Sequence, residues 1–139
     1  YLAHLRECSL VVTEEAGEVM RYRLLETLRE YAQECLTEET RTALLHRHQE
    51  FYLEFVREAE SPTASLNQGQ RVQRLEPDYD NIRAALERCA LDSERVSVGL
   101  ELCYLLWRFW AMHGYYTEGR KYLTGLLSQV VKCALQLRA

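Results

Sequence analysis

The stretch that most limits the fold runs from Glu94 to His113. Between Val98 and Met112 the only charged residues are Glu101 and Arg108, seven apart and therefore on one narrow stripe of a helix. A helix that is apolar nearly all round has to be covered on several sides, so it demands neighbours. Gly114 follows at once, and glycine past the last turn ends a helix in the left-handed conformation. Thr117 is a candidate cap for a second helix, whose apolar face is Leu123, Leu126, Leu127, Val130 and Ala134. A turn this short predicts antiparallel packing of the pair.

Upstream, "SLVVT" (9–13) and "VMRYRL" (19–24) are the β-branched runs with strand character, and "EEAGE" between them supplies a glycine turn, which predicts a β-hairpin. Next, Leu25, Leu28, Tyr31, Ala32 and Cys35 recur at helical spacing, with Glu26, Arg29, Glu30 and Glu34 on the other side. Thr37 and Thr40 mark a break and an N-cap, after which Leu44, His48, Phe51, Tyr52, Phe55 and Ala59 form a stripe that ends at the loop "SPTASLNQG" (61–69). A short helix in "QGQRVQRLE" (68–76) meets Pro77. The following "DYDNIRAALERCA" (78–90) carries Tyr79, Ile82, Leu86 and Cys89 on one face, with Asp78 or Asp80 as its cap. The expected class is mainly α, helical hairpins with a small N-terminal β-hairpin.

Composition removes other classes. Of 139 residues, 47% are hydrophobic and 27% charged, the balance of a soluble globular chain and not of a disordered one. A net charge of −4 supplies no general field to attract a phosphate backbone, so DNA binding by these residues is not expected. Cys8, Cys35, Cys89, Cys103 and Cys133 are odd in number and widely spaced, which fits free thiols in a reducing compartment. Without a signal-peptide core or an apolar run of membrane-spanning length, the expected location is the cytoplasm, with no membrane partner. The chain opens at Tyr1 and stops at Ala139 inside a helical run, and is expected to be a piece of a longer polypeptide.

The stretch "LLWRFWAMHGYYTEGRKYL" (105–123) sets two tryptophans, three tyrosines and a phenylalanine around a His-Gly step. The tetratricopeptide pattern sets large, small and aromatic residues at fixed spacings on two antiparallel helices. Cys103, Leu106, Trp107, Trp110, Gly119 and Leu123 fall at those spacings, with Gly114 and Tyr116 at the turn. Two positions depart: Cys103 stands where Trp is usual, and Trp107 where a small residue lets two helices approach, so an altered helix spacing is expected. About three such units are needed for a stable array, so a right-handed tetratricopeptide-like array is expected to continue beyond Ala139. The rings sit at repeat-core spacing, which favours packing over a small-molecule aromatic box.

Taken together, "SLVV", "RYRLLETLREYAQECL", "LEPDYDNIRAAL" and "LLWRFWAMHGYYTEGRKYL" resemble one region of the bacterial STAND signal-transduction ATPases, transcriptional regulators related to NB-ARC proteins. The order in that family is a P-loop ATPase, a winged helix, a helical connector and tetratricopeptide-like repeats. The resemblance implies that residues 1–36 are the end of the winged helix, with its wing at 9–24 and the helix that follows. It implies a helical connector at 37–91 and a first repeat at 94–139. It further implies a non-catalytic interaction and signal-transmission module whose partners are the other domains of the same polypeptide and a protein or small-molecule effector sensed by the repeats. The alternative is the DNA-binding winged-helix part of a transcription factor.

Candidate chemistry is sparse. The only lysines are Lys121 and Lys132, and no phosphate-binding loop is present, so no cofactor is expected here; the resemblance implies ATP and magnesium in an upstream module. His46 and His48 are two apart and cannot share a helix face as metal ligands, and His113 reads as a helix-end residue bonding free carbonyls. No nucleophile, base and orienting group form a recognisable set. Arg21 and Arg23 alternate along the second strand and project from one face, where they could meet phosphates, but Glu14, Glu15 and Glu18 at the hairpin tip oppose that contact. Glu26, Arg29 and Glu30, with Arg23 nearby, form either a surface stripe or a domain interface, and the sequence leaves both open.

Overall fold

The computed structural model describes residues 1–16, 19–62 and 66–136. They form a mainly helical protein with a two-stranded antiparallel hairpin near the N-terminus, as the periodicity predicts. The chain divides into two compact units, 1–42 and 43–139.

In the first unit, helix α1 (Leu2–Glu7) turns through Ser9, at φ 58°, into strand β1 (Val11–Ala16), which pairs with β2 (Val19–Leu24); helix α2 (Glu26–Glu34) follows. The first strand lies later than the 9–13 expected from its β-branched core. Glu14 and Glu15 are not at the tip but in the ladder, opposite Arg21 and Met20. Cross-strand charge explains the shift, because Arg23 reaches Glu14 at 3.1 Å and Arg21 faces it in register, so the acids are held in paired backbone. Glu18 and the glycine of the turn lie outside the described residues. The predicted apolar face of α2 is not covered within this unit. Among its described residues only Val11 is buried, and Tyr31 is 65% exposed. A hairpin and two short helices offer too little surface to bury that row.

Helix α3 (Glu38–Glu60) starts where Thr37 accepts from the Thr40 amide at 3.3 Å, and it carries the chain into the second unit. There follow α4 (Gln68–Leu75), a 3-10 turn through Pro77, α5 (Tyr79–Cys89), a second 3-10 turn (Ser93–Arg95), α6 (Val96–His113) and α7 (Tyr116–Gln136). Asn67 and Gln70 close a reciprocal capping box on α4, each side chain bonding the other's amide at 2.9 Å.

One core runs through this unit: Tyr52, Leu53, Val56 and Ala59 of α3, Leu75, the α5 row Tyr79, Ile82, Ala85, Leu86 and Cys89, and the inner faces of α6 and α7. Connector and repeat, as divided at 91–94 by the resemblance, therefore share their packing. The α5 row is the expected one. On α3 the expected Tyr52 and Ala59 are buried, but Leu44 and Phe51 are exposed, and Gln49, Leu53 and Val56 join the buried side. The apolar residues of α3 spread over more than one row, and packing in the second unit buries the side that carries Gln49, Leu53 and Val56. The buried Gln49 carboxamide is satisfied by Arg95 Nε at 2.9 Å, while the Arg95 guanidinium also pairs with Glu50.

The two charges of α6 face α3. Arg57 grips Glu101 through two bonds of 2.7 and 2.8 Å, which hold the Glu101 carboxyl below its usual range, and Arg108 approaches Glu60 at 3.8 Å. With α3 along that stripe and α5 and α7 on the inner side, α6 is covered on part of its surface.

Candidate interaction surface

The α6–α7 hairpin is built around two glycines. A Cβ on Gly119 would lie 2.5 Å from Trp110 Cε3, and a Cβ on Gly99 would lie 2.7 Å from a Leu126 methyl and 2.9 Å from Cys89 Cβ. Any larger residue would hold the helices apart. Trp110 fills the space opposite Gly119, stacked with Tyr122 at 6.3 Å between ring centroids, and its Nε1 donates to the Tyr79 hydroxyl at 2.8 Å. Burial is the main reason the Tyr79 hydroxyl is pushed above the usual phenol range. Cys103 and Leu106 complete this inner surface, both buried; burial pushes the Cys103 thiol up to about 12 and that of its neighbour Cys89 up to about 11.

Gly114 ends α6 at φ 72°, and the amides of Gly114 and Tyr115 both donate to the Trp110 carbonyl. His113 donates Nδ1–H to the Phe109 carbonyl at 3.0 Å and stacks on the Phe109 ring. Thr117 does not cap α7, which begins one residue earlier at Tyr116, with the Tyr115 carbonyl taking the Gly119 amide. Tyr116 is exposed, and its hydroxyl donates back to the Ala111 carbonyl at 3.1 Å, pinning the turn.

Two residues expected in the repeat core lie outside it. Trp107 is 52% exposed beneath the Arg108 guanidinium, 4.8 Å from its ring, and Leu123 is also exposed. The helices approach through Gly99 and Gly119, so Trp107 does not widen their spacing, and Tyr122 takes the buried place beside Leu123. The reason is rotational: Trp107 lies one step of about 100° round from Leu106.

This rotation generates a second row on each helix. On α7, Glu118, Tyr122 and Gln129 reach Arg83, Glu87 and the Ala90 carbonyl, so that edge faces α5. Leu123, Leu127 and Val130 follow one step away, on the opposite side of the line that touches α6. On α6, Leu100, Tyr104, Trp107 and Ala111 stand in the same relation to Gly99 and Trp110. Because the helices are antiparallel, both rows fall on one broad face turned away from α5. That face is apolar and open: Tyr104 is 73% exposed and Leu127 53%. Tyr104, Trp107, Leu123, Leu127 and Val130 thus form a run of exposed apolar side chains.

The candidate charges of the first unit are engaged locally. Arg23 pairs with Glu14, Arg21 stands opposite Glu14, Arg29 pairs with Glu26, and Glu30 is exposed on α2. Arg21 and Arg23 do share a strand face, but with an acid between them. Of the other histidines, His46 bonds Asp92 at 2.9 Å and holds that carboxyl below its usual value, while burial lowers His48. Among the described residues no cluster of three or more His, Cys, Asp or Glu could hold a metal, and no helix is long and apolar enough to cross a membrane.

No known protein-family profile matches the chain, and no solved structure matches it. Proteins of Mycobacterium bovis and of Mycobacterium tuberculosis strains H37Rv and CDC 1551, each provisionally named an HTH-type transcriptional regulator, are 30% identical to it over 126 residues. The match takes in 91% of this chain and 14% of each of those proteins, so the chain spans about one-seventh of the length of the curated relatives it matches.

Proposed function

We propose that this chain is a non-catalytic interaction and signal-transmission module of a large STAND-type ATPase transcriptional regulator in the cytoplasm. In this reading the hairpin of 1–36 closes a winged helix, 37–91 connects, and α6–α7 is the first of several tetratricopeptide-like hairpins. ATP and magnesium belong to another module of the same polypeptide, and the repeats bind a protein or small-molecule effector. The observation that carries the reading is the open apolar face of α6–α7 beside a hairpin closed by Gly119 and Trp110. Such a face is what one solenoid unit offers the next. The size of the mycobacterial relatives supports it, since the chain matches only a small share of each.

Transmission requires an element that both the sensor and the ATPase bias. A shared core for α3, α4, α5, α6 and α7 supports rigid coupling, because a shift imposed on the α6–α7 face is passed to α3 through close-packed side chains. Deleting everything after Leu91 would cut through that core and test folding more than signalling. The cleaner perturbation is Leu127→Glu, which charges the outer face without touching the core. In the full-length polypeptide it is expected to change ATP turnover or oligomeric state; unchanged turnover and assembly would sink the transmission role.

The name of the relatives favours a second reading, a DNA-contacting winged helix. The acid between Arg21 and Arg23 weighs against it, as does the net charge of −4. Fluorescence anisotropy with duplex DNA separates the two, because submicromolar, salt-dependent binding by this chain would reverse the order.

A further inference from the structure

Between the first turn of α4 and the middle of α6 lies a cavity of about 210 Å³, lined by Leu66, Gln68, Arg71 and Arg108. Two guanidiniums converge there on one carboxylate. Glu60, whose side chain is only 8% exposed, lies 3.3 Å from Arg71 and 3.8 Å from Arg108. The two arginines are used differently. Arg71 is committed to the chain itself: Nε donates to the Leu66 carbonyl at 3.2 Å, Nη1 to the Glu60 carbonyl at 3.0 Å, and Nη2 to the Ser61 carbonyl at 3.5 Å. Arg108 is half exposed, too far from Glu60 for a hydrogen bond, and makes none to a described residue.

The donor balance is therefore one-sided. Two cations face one carboxylate, which leaves one positive charge, and the planar fork of Arg108 has its N–H groups available. The Gln68 carboxamide, without a hydrogen-bonded partner among the described residues, adds a second donor at the rim. The Arg108 guanidinium also lies over the Trp107 ring, 4.8 Å from its centroid, in a cation–π contact. Glu60 is the carboxylate that opposes an anion here, and it lies closer to Arg71 than to Arg108.

The geometry points to this cavity as a binding site for a small oxyanion, the phosphate or carboxylate group of a free metabolite, held by Arg108 in a bidentate fork with Gln68 as the second donor. The site does not depend on the regulator reading, since it is argued only from Glu60, Leu66, Gln68, Arg71 and Arg108. Nor does it use the outer rows of α6 and α7, apart from the ring of Trp107.

The test is a titration of the 139-residue chain with inorganic phosphate and, separately, with acetate, each at constant ionic strength, following the ¹H–¹⁵N signals of Arg108 Nε and the Gln68 side chain. Saturable shifts of both signals with one of the two anions are expected, and that anion identifies the group recognised. Arg108→Gln is expected to weaken the apparent affinity at least about tenfold with an unchanged circular dichroism spectrum, as the side chain is half exposed. Arg108→Lys keeps the charge without the fork and is expected to weaken phosphate or acetate binding as well. Linear, unsaturating shifts with both anions, or equal affinity in wild type and Arg108→Gln, would overturn the assignment.

Discussion

Substituting alanine at two glycines of the same helix should have opposite effects. In Gly119→Ala the new Cβ meets Trp110 Cε3 at 2.5 Å and Cδ2 and Cζ3 at 3.0 Å, about 1 Å inside ordinary carbon contact. Trp110 has no free direction of retreat, being 3% exposed, bonded to Tyr79 and stacked with Tyr122. Overpacking of this kind costs about 1–3 kcal/mol, and loosening the indole bond adds about 0.5–1.5 kcal/mol. The helix propensity of alanine returns about 1 kcal/mol. The net expectation is a loss of about 0.5–3.5 kcal/mol. Gly125→Ala lies on the same helix, six residues on, with nothing within 4 Å of its new Cβ, so only the propensity gain of about 1 kcal/mol remains. Urea unfolding followed by circular dichroism and by tryptophan emission should therefore move the two midpoints to opposite sides of wild type. With m values of about 1–3 kcal/mol/M, their separation is on the order of 1 M or more. If Gly119→Ala is as stable as Gly125→Ala, the hairpin is not closed by the Gly119–Trp110 contact, and the placement of the outer face loses its foundation.

Three further outcomes are expected. Trp110→Ala should cost about 3–5 kcal/mol, whereas Trp107→Ala should cost less than about 1 kcal/mol, the value of an exposed cation–π contact with Arg108, when both are measured by the same unfolding. Stability should fall as pH rises: the Cys89 and Cys103 thiols stay protonated in the fold up to about 11 and about 12, against 9.0 when unfolded, so the unfolded state releases its protons first. Their contribution is complete below the unfolded value and is lost progressively from there to the folded values. Urea midpoints between about pH 8 and pH 10 should decline, and Cys103→Ala should flatten the decline; a midpoint rising over that range contradicts the burial of these thiols. Alkylation read by mass spectrometry should modify the exposed Cys8 and Cys35 in the native protein and reach Cys89 and Cys103 only in urea.

What the sequence reveals depends on how many apolar rows a helix carries. Helix α5 has one, and Tyr79, Ile82, Leu86 and Cys89 are all buried as their spacing predicts. Gly114 stops α6 where a glycine must, because only the left-handed cap frees its neighbour's amide for the Trp110 carbonyl. Helices α3, α6 and α7 each carry two rows, and periodicity cannot say which one meets the core. That is why Phe51, Trp107 and Leu123 were expected inside and lie outside, while Leu53, Phe109 and Tyr122 hold the inner places. The missing signal is tertiary: Gly99 and Gly119 mark where the helices touch, but only their partners Leu126, Cys89 and Trp110 show it. The strand shift in β1 is similar, since β-branched propensity points to 9–13 while pairing with Arg21 and Arg23 draws Glu14 and Glu15 into the ladder. The asymmetry between Arg71 and Arg108 is likewise invisible in the sequence, because it depends on a carboxylate eleven residues before one and forty-eight before the other.

The doubled rows also connect fold to proposed function. A single apolar row would be used up by the core, whereas two leave α6–α7 with one side filled and the other exposed. In the function proposed above, the outer face of Tyr104, Trp107, Leu123 and Leu127 is an interface through which the ATPase is biased. The most direct measurement compares ATP turnover and oligomeric state of the full-length polypeptide with those of Leu127→Glu and, as control, Gly125→Ala. A change confined to Leu127→Glu is the predicted result. Identical turnover and assembly in all three would contradict it.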